Sequence, residues 1–253
     1  MQKSNNKFGG VSIVIPAYDE LLNLRVLLPE IHKVLVDLTH YYPNEVLVVL
    51  PSFASTNEII EINSLGAKAV VRMPTNSFGD AIRTGFAAVS SSSEFVVTLD
   101  ADGSHNPSII PKMLAVVTGA HVVTGSRYTE GGSTDASPLG LILSRLLILA
   151  FSTVFGRTLS DHGNFKLYRK TSISDIELSG KNFDVIQELL FKIKIRYGSG
   201  FVIKEVPYHL SQRNTGRPKR KILRYIISYL KTLLKLLFTK AKLRFIAHRK
   251  LVQ

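Results

Sequence analysis

Apolar and polar positions follow two different rhythms along the first half of the chain. Short β-branched runs predict strands buried on both faces, at residues 11–15, 45–50, 67–73, 94–100 and 121–125. Between them, longer stretches with helical periodicity predict helices, at residues 20–38, 56–65, 79–91 and 107–118. The alternation of strand and helix indicates an α/β domain whose mostly parallel sheet is covered by helices.

The second half is less regular. An apolar helix is predicted at residues 138–156, with Arg145 near its middle. Because a central arginine costs a few kcal/mol in a bilayer, we expect this helix to be buried or to contact a membrane rather than to span one. Strands predicted at residues 165–170 and 201–210 flank a helix at residues 182–197.

The last segment has the clearest pattern. From residue 222 onward, polar side chains recur at steps of three and four, and apolar side chains cover the rest of the helix. The polar stripe consists of Arg224, Ser228, Lys231, Lys235, Thr239 and Lys242. The pattern predicts a basic amphipathic helix over 221–253. Through residues 222–244 it would lie on an anionic membrane surface or in an apolar groove of a membrane partner protein.

Charge and composition narrow the class of partner. The net charge is +13, and residues 211–253 contain 13 Lys and Arg and no acid, so the whole excess lies in this segment. Such a segment favours an anionic partner, but phosphate binding alone gives no reason for so many leucines and isoleucines, so we expect no nucleic acid.

The chain has no cysteine, which excludes disulfides and thiolate metal sites. The polar first ten residues lack the apolar core of a signal peptide, and we expect a peripheral protein on the cytoplasmic face of a membrane.

Candidate chemistry first appears where a predicted strand ends in LDADGSH. Asp100 and Asp102 stand at its carboxyl end, which is where open parallel sheets bind ligands. Two anions this close call for a cation between them or a shared proton. Oxygen-only ligands favour Mg²⁺ or Mn²⁺. The chain contains neither GxGxxG after the first strand nor GxxxxGK[ST], so a dehydrogenase or a P-loop NTPase is not expected.

Several blocks, in order, resemble the family 2 glycosyltransferases, in the branch similar to dolichyl-phosphate mannosyltransferase and other polyprenyl-phosphate glycosyltransferases. The blocks are VSIVIPAYDE (11–20), LDADGSH (99–105), VVTGSRYTEGGS (122–133), SR (144–145), Asp161 with GNFKLYRK (163–170), and EVPYHLSQRNTGRPK (205–219). SFGDAIRTGF (77–86) is similar to the glycine-containing helix start of the same family. The resemblance covers about residues 10–220.

This resemblance implies a GT-A (Rossmann-like) domain over 10–220 and an inverting hexosyltransferase with a nucleotide-sugar donor and a polyprenyl-phosphate acceptor. Asp100 and Asp102 would ligate Mg²⁺ or Mn²⁺ across the diphosphate, and Ser104 is a candidate third ligand where the family has glutamine. The implied donor-binding residues are Pro16, Ala17, Tyr18, Glu20 and Asp100. The implied catalytic residues are Asp102, Arg127 and Asp161. The implied acceptor-phosphate ligands are Arg127, Arg145, Arg213 and Lys219.

Elementary chemistry agrees with this assignment. A phosphate acceptor is already anionic, so no strong base is needed, and cations must hold two phosphate groups close together. Structural alternatives stay open for the basic residues: Arg127 could cap a strand, Arg145 could extend from an apolar helix to water, and Arg213 and Lys219 could belong to a generic basic surface. Asp161 could orient an acceptor-side arginine or be a plain turn residue.

Apart from Ser104, the chain departs from the family pattern at the end of the second predicted strand. Leu50 and Pro51 replace an acidic pair after the second strand, and their side chains cannot accept hydrogen bonds from a nucleotide. The hydroxyls of Ser52, Ser55 and Thr56 could compensate only weakly. An alternative hypothesis is therefore a degenerate transferase fold with an impaired donor site, acting as a membrane-docked binding or regulatory partner. A third is a transferase for a soluble or protein acceptor. His105 is expected to be a solvated loop histidine rather than a donor contact.

Overall fold

The structure is a computed structural model that describes residues 9–38, 43–155, 159–215 and 222–251. In the last helix, side chains are described for residues 227–242. Lys219, a predicted acceptor ligand, lies outside the described residues.

Strands and helices alternate as the sequence predicts. The described strands are β1 (Gly10–Pro16), β2 (Glu45–Leu50), β3 (Lys68–Val71), β4 (Ser93–Thr98), β5 (Val122–Ser126), β6 (Ser133–Thr134), β7 (Lys166–Arg169), β8 (Ile203–Pro207) and β9 (His209–Leu210). The described α-helices are α1 (Leu21–Asp37), α2 (Thr56–Ser64), α3 (Phe78–Ala88), α4 (Ile110–Ala115), α5 (Pro138–Phe155), α6 (Lys170–Ile173), α7 (Asp184–Tyr197) and α8 (Ile222–Leu251).

Seven of these strands form one mixed, mostly parallel sheet in the order β3-β2-β1-β4-β7-β5-β8. Within the described sheet, β7 alone runs antiparallel to its neighbours β4 and β5. Helical crossovers between β1, β2, β3 and β4 keep those strands parallel, so their carboxyl ends share one edge. β6 and β9 form a separate parallel pair, and Leu210 of β9 makes a β-bridge with His105 after β4. The α/β prediction is confirmed.

Both faces of the sheet are buried, which explains the near-continuous apolar runs of the central strands. On β1, Val11, Ile13 and Ile15 belong to the core shared with α1, whereas Val14 belongs to the core shared with α3 and α7. The central strands therefore have no solvent face, and polar groups on them must find partners inside the protein.

Two of the differences between the predicted and the observed element boundaries have a clear structural reason. The helix predicted at 107–118 begins as a 3₁₀ turn at Pro107–Ile109 and ends at Ala115. The strand predicted at 201–210 divides at Tyr208. There the backbone N–H of Tyr208 still donates to Ser126 (3.1 Å), while its carbonyl accepts from Ser133 of the small sheet (3.1 Å). One apolar run thus serves two sheets, which periodicity alone does not reveal.

Helix α8 packs on the domain against α5 and α7. Tyr229 and Leu236 are buried there. Ser228 and Thr232 donate hydrogen bonds to the carboxylate of Asp184 on α7, at 2.6 and 2.8 Å. Ser228, a member of the predicted polar stripe, therefore faces the buried carboxylate of Asp184. The face of α8 that packs on the domain contains both apolar and polar side chains.

Two neighbouring helices nevertheless expose apolar side chains. On α8 they are Ile227, Leu230, Leu234 and Phe238, and on α5 they are Leu139, Ile142, Leu146 and Leu149. Each set recurs at steps of three and four, so each forms a stripe along its helix. In the described part of the chain, α5 is also the one helix long and apolar enough to cross a membrane by length and composition.

Candidate functional site

The D-x-D loop begins just after β4 ends at Thr98. It is closed by His105, whose Nδ1 accepts the backbone N–H of Asp100 at 3.0 Å. The His105 ring is buried and stacks on Phe165 with ring centroids 5.0 Å apart. Burial lowers the pKa of His105, so the ring is neutral and its Nδ1 can accept. The prediction of a solvated loop histidine is wrong, because the ring packs into the core and fixes the loop.

Both carboxylates of the loop are oriented by hydrogen bonds. Asp100 Oδ1 accepts from Asn164 Nδ2 at 3.0 Å. Asp102 Oδ1 accepts from the backbone N–H and the hydroxyl of Ser104, at 3.1 and 2.6 Å. Burial alone would raise the pKa of Asp102, but the bonds from Ser104, with the nearby Arg213, hold it below its usual value. Asp102 is therefore ionised at neutral pH and suited to bind a cation.

The chain segment after β9 lies over this loop. Arg213 Nη2 binds both oxygens of Glu20, at 2.9 and 2.8 Å, and its Nη1 lies 3.8 Å from Asp102 Oδ2. The backbone N–H of Asn214 donates to the Asp102 carbonyl at 2.9 Å. Gly103 has φ +78°, and a Cβ there would lie 2.2 Å from Asn214 Nδ2, so glycine permits this close approach. The contacts of Arg213 are thus on the donor side, although the resemblance assigns it to the acceptor.

The other predicted donor residues lie at the carboxyl end of β1. Pro16 is the last residue of β1. The backbone N–H of Ala17 donates to Val49 of β2 at 3.0 Å, and the Ala17 carbonyl accepts from the buried guanidinium of Arg72. These bonds fix the turn that presents Tyr18, which is half-exposed, beside Glu20. The structure brings the four predicted residues together at the edge that carries Asp100.

The end of β2 has the apolar character expected from the sequence. Leu50 and Pro51 are both buried, so neither could face a nucleotide. The turn that follows exposes Ser52 and Phe53 instead. The donor edge therefore receives hydroxyl and aromatic groups from β2, and no acid from residues 50–55.

The D-x-D edge fits a hard divalent cation that also binds a ligand. Among the described residues, no group of three His, Cys, Asp or Glu side chains could hold a metal ion by itself. Mg²⁺ and Mn²⁺ sites of this kind use one or two carboxylates together with substrate phosphates. Asp100 and Asp102 supply the carboxylates. The hydroxyl of Ser104 donates to Asp102, and its role as a third ligand stays a prediction.

At the same edge of the sheet, Arg127 follows β5, which is separated from β4 by β7, and it pairs with Asp161. Asp161 accepts from Arg127 Nε at 2.7 Å, from Nη2 at 2.8 Å and from its backbone N–H at 3.0 Å. A fourth donor is the backbone N–H of Gly163, at 2.9 Å. Asp161 is 0% exposed. Its contacts are therefore those of a residue that positions Arg127, and its catalytic role stays a prediction.

Burial opposes the charge on both members of this pair, but their mutual contact outweighs it. The contact raises the pKa of Arg127 and lowers the pKa of Asp161. The positive charge of Lys166 also lowers the pKa of Asp161. Both groups are therefore charged at neutral pH. A buried, two-pronged arginine–carboxylate pair holds the guanidinium in one orientation, which a strand cap would not require.

Arg127 and Arg145 line the same cavity, of about 630 Å³. Its apolar wall is formed by Ile148, Leu149 and Leu159. Arg145 on α5 thus contributes to a concave site rather than only reaching for solvent. The cavity combines two guanidinium groups with aliphatic side chains, a composition suited to an anion that carries an apolar chain.

Two polar residues have no role in the sequence-based assignment. Asn164 orients Asp100, as described above. Lys166 is 0% exposed, and its Nζ donates to Thr124 Oγ1 at 2.7 Å and to the Asp161 carbonyl at 3.3 Å. Burial lowers the pKa of Lys166 to about 8. In the sequence, Lys166 stands between the apolar residues Phe165 and Leu167, in a strand that has no solvent face. This pattern could have identified it as a buried lysine.

Comparison with known proteins agrees with this architecture. The sequence profile of glycosyl transferase family 2 matches residues 12–177, well over half of the chain. The chain belongs to this family. A solved structure of glucosyl-3-phosphoglycerate synthase from Mycobacterium tuberculosis, in complex with Mn²⁺, UDP and glucosyl-3-phosphoglycerate, is 20% identical with a TM-score of 0.68. That match covers 92% of this chain and 82% of the other, and supports the GT-A fold.

Two relatives are similar over most of this chain. The dolichol-phosphate mannosyltransferase of Pyrococcus furiosus is 29% identical over 83% of the chain. The polyprenol monophosphomannose synthase of Mycolicibacterium smegmatis is 26% identical over 82% of the chain and 79% of its own length. The chain spans only 59% of the length of the Pyrococcus protein.

Proposed function

We propose that this protein transfers a sugar from a nucleotide-sugar donor to a polyprenyl phosphate, with Mg²⁺ or Mn²⁺ bound at Asp100 and Asp102. This proposal rests mainly on the cavity that Arg127 and Arg145 line together with an aliphatic wall. The names of the two relatives, which describe transfer to dolichol phosphate and to a polyprenol, support the same acceptor class.

The cavity suits a lipid-linked phosphate because its two chemical halves match the two halves of that molecule. Guanidinium groups bind phosphate oxygens in a planar, two-pronged geometry. The Asp161 contacts hold Arg127 by its Nε and Nη2, so the arginine is oriented before a ligand arrives. The aliphatic wall from α5 would contact the first isoprene units of the lipid, because removing their apolar surface from water is favourable.

The proposed reaction is a single displacement at the sugar carbon. An oxygen of the acceptor phosphate forms a bond to that carbon while the bond to the donor diphosphate breaks, and the nucleoside diphosphate leaves with the electron pair. One displacement inverts the configuration. Since the acceptor oxygen is already anionic, no residue has to remove a proton. Arg127 and Arg145 hold the acceptor, and Asp100 and Asp102 hold a cation that would neutralise the departing diphosphate.

The acceptor cavity would lie beside a membrane. The aliphatic wall of the cavity belongs largely to α5, whose exposed apolar stripe would insert at the interface with that of α8. The net positive charge of residues 211–253 would attract anionic headgroups. We propose peripheral attachment to the cytoplasmic face, with the membrane rather than a partner protein as the occupant of these stripes.

One observation favours a second candidate, a transferase fold with an impaired donor site that acts as a membrane-docked binding partner. Leu50 and Pro51 are buried, and the turn after β2 brings no acid to the donor edge. This candidate predicts membrane binding without turnover.

A lipid-acceptor assay separates the candidates. The protein is incubated with liposomes containing polyprenyl phosphate and a panel of nucleotide sugars, with Mn²⁺ or with EDTA, and lipid-linked sugar and free nucleoside diphosphate are measured. Polyprenol without phosphate is the matched acceptor control. We expect metal-dependent transfer to the phosphate alone. Liposome binding without nucleoside diphosphate release would support the second candidate, and transfer to soluble acceptors without lipid would contradict both.

A further inference from the structure

An aromatic pair stands at the donor edge of the sheet. Tyr18 follows β1 and Phe53 follows β2, and their ring centroids are 5.3 Å apart with an interplanar angle of 83°. The two side chains are 45% and 59% exposed, respectively. A cluster of partly exposed aromatic rings in a predicted ligand site indicates a stacking surface for a planar group.

The position of this pair follows from strand pairing. β1 and β2 are neighbouring parallel strands, with Pro16 opposite Val49, so the turns that follow them emerge side by side. β4, on the other side of β1, delivers Asp100 to the same edge. A ligand whose diphosphate lies at Asp100 and Asp102 could therefore extend along the edge toward Tyr18 and Phe53.

The turns after β2 and β3 also place polar groups beside the aromatic pair. These groups are uncharged or already form hydrogen bonds within the protein. Ser52 and Asn76 bind each other, with Ser52 N–H donating to Asn76 Oδ1 at 2.7 Å and Asn76 Nδ2 donating to Ser52 Oγ at 2.9 Å. The guanidinium of Arg72 is held by backbone carbonyls, among them that of Val49 at 2.8 Å. Residues 50–55 and 72–77, which form these turns, contain no acid. A base placed here meets two aromatic rings, and the β2 and β3 turns offer it no carboxylate.

We propose that Phe53, with Tyr18, forms the base platform of the donor site and that the platform accepts purine and pyrimidine bases alike. This inference rests on the proposed function, because it assumes a nucleotide donor. Stacking is tolerant of base identity since every base has a π-face, whereas strong discrimination requires directional polar contacts. Donor selection then falls to the sugar and to the contacts of the diphosphate.

The test is calorimetric binding of UDP, GDP, CDP, ADP and inorganic pyrophosphate to the full chain in the presence of Mn²⁺. We expect the four nucleotides to bind within about tenfold of one another. Phe53→Ala should weaken each by about tenfold, which corresponds to about 1.4 kcal/mol and lies within the range for one stacked base. Pyrophosphate affinity should not change, which separates loss of a base contact from general damage.

Three further variants sharpen the test. Phe53→Tyr should keep nucleotide affinity, and Phe53→Leu should lose it although it keeps apolar bulk. Ile60→Ala removes an apolar side chain of equal exposure, 59%, from α2, and should change nothing. Asp19→Asn tests the β1 turn as a base reader: unchanged relative affinities support the platform, and a changed base preference would overturn it.

Other outcomes are equally decisive. One nucleotide binding more than about 100-fold tighter than the rest, or a Phe53→Ala variant with unchanged affinities, overturns the inference. If no nucleotide binds, both the platform and the proposed function fail. If all four bind as expected but no sugar reaches a polyprenyl phosphate, the platform stands and only the proposed function fails.

Discussion

Two of the arginine–carboxylate pairs among the described residues have similar burial and lie on the two sides of the candidate site. Arg127 and Asp161 have side chains 14% and 0% exposed, and Arg213 and Glu20 have side chains 17% and 10% exposed. The first carboxylate receives four donors and has no other contact to make. The second belongs to the predicted donor pocket, and its arginine also lies near Asp102. Similar geometry therefore supports two different roles.

In the proposed function, the Arg127 pair is a fixed scaffold that would present a guanidinium to the acceptor phosphate. The Arg213 pair places a cationic side chain beside carboxylates that a divalent ion and a donor would use. If a donor and a cation bind there as proposed, we expect Arg213 to change partners. The proposed acceptor side would then be formed beforehand, and the proposed donor side would be rearranged by binding.

The largest expected effect is at Asp102. Asp102→Asn keeps the size and the bond to the Ser104 backbone but removes the charge that binds a cation. We expect turnover to fall about 1,000-fold, as for loss of a central electrostatic contact, and Mn²⁺-dependent nucleotide binding to be lost in calorimetry. Normal metal-dependent binding in this variant would remove the metal role of the D-x-D edge.

Asp161→Asn tests the fixed scaffold. Leaving Arg127 buried without its counter-charge should cost about 3–5 kcal/mol of unfolding free energy, measured by urea denaturation. Transfer should fall about 100-fold through misplacement of the guanidinium. The double variant Arg127→Met with Asp161→Leu should regain most of the stability but no activity. An active double variant would show that the pair serves only the fold.

Arg213→Ala tests the rearranging pair. Two unit charges 4 Å apart interact by about 1 kcal/mol even in water, so removing Arg213 should tighten binding of Mn²⁺ alone by about fivefold or more. Arg213→Lys keeps the charge and is the matched control. Unchanged Mn²⁺ affinity combined with a raised KM for the lipid acceptor would instead support the acceptor role that the resemblance implies.

Lys166, which contacts the Asp161 backbone, predicts a pH-dependent effect on stability. Its pKa of about 8 lies below the usual value of about 10.4. Between these values the unfolded chain binds a proton that the folded chain has released, so stability rises with pH. The unfolding free energy should increase by up to about 1.4 kcal/mol per pH unit from pH 8 to 10, relative to Lys166→Met. Parallel pH profiles for the two proteins would contradict this assignment.

Patterns in the sequence predict the fold well because the sheet is buried on both faces. The strands from Gly10 to Ser126 lie within one or two residues of their predicted positions. The D-x-D carboxylates are predictable for the same reason, since they follow a buried strand. Contacts between distant segments are not. Nothing local indicates that Arg213 reaches back to Glu20, or that the ring of His105 stacks on Phe165.

The same limit applies to the tail helix. Its periodicity predicts an amphipathic helix, but not that Ser228 would bind Asp184 on α7. Which side of such a helix packs on the domain depends on side chains elsewhere in the chain. The exposed stripe of α8 is therefore narrower than the apolar face that the sequence indicates.

The central claim, that the cavity between Arg127 and Arg145 binds a lipid phosphate, can be measured without turnover. The affinity of a short-chain prenyl phosphate is compared with that of the matching prenol, for the wild-type protein and for Arg145→Gln. We expect tight binding of the phosphate alone, weakened about tenfold or more in the variant, with Mn²⁺–nucleotide affinity unchanged. Equal affinity of both proteins for the prenyl phosphate would contradict it.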